Sequence, residues 1–414
     1  MAEHRRLKVL ILASTCDGTD VGEAWSTYQW VSRLSQQHDI TLLTYRRRSR
    51  PSAREQLPAV RVVEWMDLPF VSRFDRFNSM LKPGYVPYYA HSRRWLRRAL
   101  SAGQRFDLAH QLSPLAMRYP SPAAGMGIPL IVGPLGGSLE TPPGFVHEFG
   151  TAPWYTKLRG LDGWRLRHDP LLRGTLEGAA VVLGVAPYVR QLIDGLAIQQ
   201  FECMSETGVE RLPEQNTQRP FNSPLRLLFV GRIIRSKGVR DAIRAVSQLG
   251  PATPLILDIV GDGDDRAACE RETHDLGVAD RVIFHGRIAR AAVEAFYRRA
   301  DVFLFPSLRE PSGNAVLEAM SHGLAMIVAS NGGPGFGVSQ ECGYRIEPRE
   351  PGQYAADLAA AIRSLAENPE RIAAMGLAAR KRIEEHYTWD RKIEWISSLY
   401  SNVMRRCGTR APTP

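Results

Sequence analysis

At 414 residues the chain is long enough for two or three domains of roughly 150 residues each. Hydrophobic residues make up 44% of it and charged residues 23%, which excludes a disordered chain and lets either half bury its own core. The formal net charge of +10 favours an anionic partner, a demand that phosphate-rich ligands, an acidic membrane surface and nucleic acid all meet.

The N-terminus, MAEHRRLKVLILAS, begins basic, but its apolar stretch is only about six residues and runs straight into a strand–turn pattern. It reads as the first strand of a domain and not as a signal peptide. KVLILA (8–13) leads to a turn holding Gly18 and Gly22 and then to a helical stretch, 23–36. ITLLTY (40–45), FDLA (106–109), LIVGP (130–134) and AVVLGVA (180–186) follow as strands. The series resumes with LRLLFV (225–230), ILDIVG (256–261), RVIFHG (281–286), DVFLFP (301–306) and AMIVAS (325–330). Strands rich in Val, Ile and Leu that alternate with helices predict parallel sheets covered on both faces.

The rhythm breaks at 203–224, a polar stretch with three prolines that reads as a linker. The end of the chain, 354–404, is helical in pattern, and its last helix is expected to cross back to the first domain. The predicted layout is a first domain over 1–203, a linker over 204–224, a second domain over 225–388, a crossing helix over 389–405 and a flexible tail over 406–414. No apolar run approaches the ~20 residues that span a bilayer. Cys16, Cys203, Cys269, Cys342 and Cys407 are scattered with no CxxC pair, which argues against a disulfide framework or a zinc site and fits a reducing cytoplasm.

The strongest chemical signal is SLREPSGNAVLEAMSHG (307–323). Glu310 closes the loop after a strand, and a helix begins near Gly313. The free amides of Gly313, Asn314 and Ala315 and the helix dipole suit phosphate or sugar oxygens. A carboxylate ahead of the helix can accept hydrogen bonds from sugar hydroxyls, and Glu318, two turns in, can reach a ribose. Two glutamates alone are more often a helix cap and a surface side chain. In VGRIIRSKG (230–238), Gly231 ends a strand, and Arg232 and Lys237 follow as a fork and a point charge suited to a diphosphate. Alone, that motif also fits a solvated basic loop. VGDGDD (260–265), with Gly261, and FHGRI (284–288), with Arg287 and Ile288, place glycines just past strands, where a planar base can approach the backbone. NGGPG (331–335) is a further glycine loop.

In this order the motifs resemble the C-terminal domain of glycosyltransferase family 4, from about Leu225 to Tyr400. The tail EEHYTWDRKIEWISSLY (384–400) resembles that family's closing helices. The resemblance implies a GT-B fold, an α/β architecture of two Rossmann-like doubly wound domains facing a central cleft. It implies a nucleotide-diphosphate sugar donor, such as a UDP-sugar, and retention of anomeric configuration. It also implies no cofactor and no metal, because basic side chains neutralise the diphosphate. By the same resemblance Arg232 and Lys237 clamp the diphosphate, Glu310 meets the donor sugar, Glu318 the ribose, and backbone near Arg287 and Ile288 the base.

In the first half, STCDGTDVGEAWSTYQWVSRLSQQHDITLLT resembles the family's first strand, glycine loop and helix, so that Gly18 or Gly22 would approach the donor. One departure stands out. Where many members carry a histidine after the strand, this chain reads Val132-Gly133-Pro134-Leu135-Gly136-Gly137. His110 is the nearest alternative for a catalytic role, although a lone histidine after a strand is more often structural. The loop GPLGGSLETPPGF (133–145) is the expected acceptor side, with Gly136, Gly137 and Glu140 as candidates. Two-carboxylate double displacement would need a carboxylate beside the anomeric carbon. Front-face substitution needs only positioning and charge stabilisation, and it tolerates the missing histidine.

The expected acceptor is a glycan, a lipid-linked glycan or a small molecule, with bacterial cell-envelope or exopolysaccharide assembly as the leading role. Glycosylation of a small natural product and a non-catalytic nucleotide-sugar-binding protein are the alternatives. Two basic and aromatic segments, 70–100 and 154–173, suit an anionic membrane surface with aromatics in the headgroup zone, or else a solvated face. The expected location is cytoplasmic, peripheral on the inner face of the membrane. No nucleic-acid module is recognisable, and nucleic acid is not an expected partner.

Overall fold

The computed structural model describes residues 5–67, 82–150, 161–214, 224–250 and 253–408. The chain divides into two units. One comprises Met1–Ser138, Trp154–Glu206 and Lys392–Pro414, and the other Leu139–Pro153 and Thr207–Arg391.

The first unit is built on seven parallel strands: β1 (Lys8–Thr15), β2 (Asp39–Arg46), β3 (Arg61–Met66), β4 (Leu108–Ser113), β5 (Leu130–Leu135), β6 (Val181–Gly184) and β7 (Phe201–Cys203). Their order is β3-β2-β1-β4-β5-β6-β7. The second unit has six: β8 (Leu225–Val230), β9 (Leu255–Val260), β10 (Val282–Gly286), β11 (Val302–Phe305), β12 (Ala325–Ala329) and β13 (Gly343–Ile346). They run β10-β9-β8-β11-β12-β13, again all parallel. Each sheet reverses its winding once, between β1 and β4 and between β8 and β11. At such a point connections leave in opposite directions and open a crevice at the carboxyl ends of the strands.

Local sequence explains the elements. Val9–Ala13 of β1 is wholly buried, as a strand covered on both faces must be. The helix Glu23–Gln37 starts from Gly22 at φ +64° and buries Trp30, Val31 and Leu34 on one face. In the second unit Phe229, Phe303 and Phe305 stack in a row, with centroids 5.6 and 5.7 Å apart. Full burial of each ring contributes about 2–3 kcal/mol. The helix Pro351–Ala366 opens with Pro at its first position and a reciprocal Glu350–Gln353 capping box.

Several boundaries differ from the sequence pattern. The pattern misses β3, β7 and β13, all three at sheet edges, where a strand is only partly covered and its apolar run is short. β4 begins at Leu108, just after Asp107, whose carboxylate accepts the Lys8 amide at 2.7 Å and whose amide donates to the Lys8 carbonyl at 2.9 Å. Residues 139–153 fall in the second unit, not in a first domain spanning 1–203, because Phe145 is fully buried in that unit's core. The last helix, Trp389–Gly408, makes residues 406–408 helical where a tail is expected, and from Lys392 it belongs to the first unit. Of the expected linker, Val209 bridges Thr388, and 215–223 lie outside the described residues. Residues 70–81 and 154–160 of the two basic segments also lie outside them. No helix among the described residues is long and apolar enough to cross a membrane.

Candidate functional site

In the second unit the reversal point is framed by the loop after β8, Gly231–Gly238, and the loop after β11, Pro306–Gly313. The Ser236 carbonyl ties them together, accepting from the Leu308 amide at 2.9 Å and the Ser307 hydroxyl at 3.2 Å. Lys237 and Glu310 meet there, with the Lys237 ammonium donating to Glu310 Oε2. The ammonium also sits 5.5 Å from the Phe305 ring centroid. Glu310 Oε1 accepts from the amide of Gly313, the residue from which the helix Asn314–Ser321 starts, at 3.0 Å. Arg232, in the same loop as Lys237, is exposed and makes no ion pair among the described residues.

Glycine is required at several contacts around this point, of which two stand nearest the strand ends and Glu310. Gly261 has φ +142°, and a Cβ there would lie 1.8 Å from the Gly231 carbonyl oxygen. Gly332 has φ +63°, and its Cβ would lie 2.1 Å from the Glu310 carbonyl oxygen. Backbone bonds from Gly231 to Val260 and from Gly261 to Gly286, at 3.0 and 2.9 Å, place the ends of β8, β9 and β10 side by side. Arg287, exposed, and Ile288, half-buried, follow the end of β10.

Glu318 is half-buried and accepts a 3.1 Å hydrogen bond from the Tyr297 hydroxyl. The buried Tyr297 ring stacks on His322 at 5.1 Å. Asn314 Oδ1 accepts from the Thr207 hydroxyl at 2.7 Å, and Ala315 packs on the core. The fold thus brings Gly231, Arg232, Lys237, Glu310, Gly313, Asn314, Ala315 and Glu318 together at one reversal point. Gly261, Arg287 and Ile288 lie at the neighbouring strand ends. Tyr297 is a residue that sequence reasoning misses, since FYRRAD carries no mark that separates it from a core aromatic. Among the described residues no His, Cys, Asp and Glu side chains group in threes that could hold a metal ion.

In the first unit Gly18 and Gly22 lie in the loop after β1, at that sheet's reversal point. Asp17 Oδ1 accepts from the Thr19 amide and hydroxyl, both at 2.8 Å, and Gln56 Oε1 accepts from the Gly18 amide at 2.7 Å. A small, open pocket lies at the ends of β1, β2 and β3, lined by Thr15, Cys16, Asp17, Tyr45, Arg46 and Glu64 among others. Burial pushes the Cys16 thiol far up, so it stays protonated and is not a nucleophile.

His110 is placed differently from the expectation. It lies inside β4, is 1% exposed, and uses both ring nitrogens. Nε2 donates to the Gly133 carbonyl at 2.8 Å, which leaves Nδ1 to accept from the Tyr400 hydroxyl at 2.6 Å. Burial lowers its pKa to about 4, so the imidazole is neutral. A sealed, doubly bonded, neutral histidine is a core residue. The acceptor-side candidates also separate. Gly136, buried, and Gly137, with φ +87°, stay in the first unit, whereas the exposed Glu140 belongs to the stretch that joins the second.

Comparison with known proteins matches residues 213–382 to the family described as "Glycosyl transferases group 1" and residues 21–200 to "Glycosyl transferase 4-like domain". Over 199 residues the chain is 32% identical to the glycogen synthase of Mycobacterium tuberculosis, covering 48% of this chain and 47% of that one. The chain thus spans about half the length of the curated relatives it matches. Among solved structures it is similar to a sucrose-phosphate synthase from Thermosynechococcus elongatus, with a TM-score of 0.64 and 19% identity over 97% of this chain and 100% of the other. Anabaena HepE in complex with UDP and glucose gives a TM-score of 0.61 and 17% identity, over 96% and 100%. These structural likenesses show a shared two-domain GT-B fold.

Proposed function

We propose, for a chain that belongs to the group 1 glycosyl transferases, that its second unit binds a nucleotide-diphosphate sugar and that the protein transfers the sugar, with retention, to an acceptor hydroxyl. The observation that carries this reading is the meeting of Lys237 and Glu310 at the β8/β11 reversal point, beside an exposed Arg232. Donor binding draws Lys237 and Arg232 onto the diphosphate oxygens, where they stabilise the charge that grows on the leaving group. Glu310 then accepts from the sugar hydroxyls, and Glu318, held by Tyr297, from the ribose. Two cations do the work a metal would do, so the reaction needs none, and turnover is expected to persist in EDTA. A UDP-sugar is the first donor to test, since a protein of similar fold binds UDP.

Retention by front-face attack fits a site whose contribution is positioning and charge. The departing phosphate helps to deprotonate the acceptor, and His110 has no part in it. The acceptor is a glycan, carried on lipid or free, and the setting is envelope or exopolysaccharide assembly at a membrane surface. Exposed Trp164 and Leu171, with exposed Arg167 nearby, favour that setting over a freely diffusing small-molecule acceptor.

Calorimetry with UDP, GDP and ADP tests the site. Arg232→Ala combined with Lys237→Ala is expected to weaken the nucleotide that binds by about a hundredfold, the loss of two charge-assisted contacts. Glu310→Ala is expected to lower turnover about a hundredfold or more in a folded protein. Unchanged affinity in the double variant would sink the reading.

A further inference from the structure

Residues 139–150 come from the first half of the sequence but lie on the second unit. Four contacts seat them. Phe145 is fully buried and meets Tyr354 edge-on, 5.8 Å between centroids. The backbone at Gly144 lies so close to the Arg349 carbonyl that a Cβ would be 2.2 Å from its oxygen. Glu148 accepts from Arg235 Nε at 2.9 Å and from an Arg244 terminal nitrogen at 2.7 Å. Leu139 Cδ1 would be 3.0 Å from a Cβ at Gly332, the glycine that abuts the Glu310 carbonyl.

The partners on the second unit are not scattered. Arg235 lies between Arg232 and Lys237 in the loop after β8, and Arg309 is the neighbour of Glu310 in the loop after β11. The Phe149 ring takes both guanidiniums, with Arg235 at 5.9 Å and Arg309 at 5.1 Å from its centroid. Arg235 is 8% exposed and is held on its other side by Asp241 at 2.7 Å, so it is a fixed post. One aromatic ring therefore links a fixed arginine in one loop to the arginine beside the key carboxylate of the other.

We propose that Leu139–Phe149 is a strap that holds the loops after β8 and β11 at the spacing the donor requires, with Glu148 and Phe149 as its positioning residues. This rests on the proposed donor site. It reassigns the loop that follows β5 from acceptor binding to donor-site geometry, and it makes the Arg309–Phe149 contact a determinant of nucleotide affinity. Each cation–π contact is modest, and the two on one ring add to the bonds that already seat this loop, from Leu308 to the Ser236 carbonyl, from Asn331 to the Leu308 carbonyl and from Gly333 to the Glu310 carbonyl.

The test uses the full chain and UDP, with GDP and ADP in parallel, and compares Phe149→Ala, Phe149→Leu, Phe149→Tyr and Glu148→Gln. Phe149→Ala and Phe149→Leu are expected to raise the nucleotide Kd about tenfold, because leucine refills volume without attracting a cation. Phe149→Tyr is expected to restore it, and Glu148→Gln to fall between. Amide exchange should quicken over 231–238 and 306–313 in the first two variants, while the thermal midpoint of Phe149→Leu stays near that of the parent. A Kd within twofold of the parent in Phe149→Ala overturns the strap and leaves the donor site standing. Equal weakening in Phe149→Leu and Phe149→Tyr overturns it as well. No nucleotide binding by the parent protein overturns the donor site and the strap together.

Discussion

Where a polar side chain sits along its strand decides what it can do. His110 is the third residue of β4 and is sealed between the Gly133 carbonyl and the Tyr400 hydroxyl. Lys237 and Glu310 lie beyond strand ends, where loops open to ligand. His110→Ala is expected to cost about 2–4 kcal/mol of stability, from a cavity and two stranded partners, while turnover per folded molecule stays near the parent value. A turnover loss of a hundredfold with stability intact would return His110 to the chemistry. Its pH dependence has a definite sign. The folded pKa, about 4, lies below the ordinary 6.5, so the unfolded chain binds more protons between those values. Stability from this group is complete above pH 6.5 and is lost as pH falls toward 4, by up to about 3 kcal/mol. Urea titrations of the parent and His110→Ala across that range report it. The donor residues were legible because a charge or glycine just past an apolar run is a local mark. Tyr297, Arg235 and Phe149 act through contacts between distant segments, and no local pattern records those.

The same distinction holds for elements. Central strands such as β1 and β11 are apolar on both faces and announce themselves, whereas β3, β7 and β13 show a weaker run because an edge is half covered. Nothing in GPLGGSLETPPGF says on which sheet it lands. That is decided by Phe145 finding its slot beside Tyr354. Among surface helices, Leu161–His168 and Pro170–Glu177 expose Trp164 and Leu171, 60% and 56% accessible, beside Arg167 and His168. These helices are expected to carry the protein onto anionic vesicles at low salt and to release it at about 0.5 M salt, where the screening length falls to a few ångströms. Trp164→Ser with Leu171→Ser should weaken co-sedimentation about tenfold. Failure to co-sediment with anionic vesicles at low salt would remove membrane docking from the proposal.

At the scale of the whole molecule, the chain passes between its units at 138/139, 153/154, 206/207 and 391/392. Lys392 marks the last passage. It is 2% exposed, donates to Ser205 Oγ at 2.8 Å and to the Ser205 carbonyl, and sits 4.9 Å from the Trp30 ring centroid. Burial pulls its pKa down to about 7, against a smaller upward pull from Glu206. The unfolded lysine keeps its proton to about 10.5, so stability is expected to rise as pH climbs from 7 toward 10. Between pH 7 and 9 the gain is up to about 2 kcal/mol, and Lys392→Met should flatten it. An equal slope in the variant, followed by urea midpoints, would locate the titration elsewhere.

The helix that ends the described chain has a consequence for how such a protein can be cut and recombined. His38 bonds Ser397 at 2.9 Å and His110 bonds Tyr400, so the sheet that begins at residue 8 is finished by side chains nearly 400 positions later. A fragment stopping at Glu206 bares both histidines, and one starting at Thr207 has no Phe145 to fill its core. The two halves are therefore not modules in the genetic sense. A chimera with a relative that exchanges a sugar-donor half must trade two separate stretches, 139–153 and 207–391, and a single crossover joint would leave each sheet wearing part of a stranger's core.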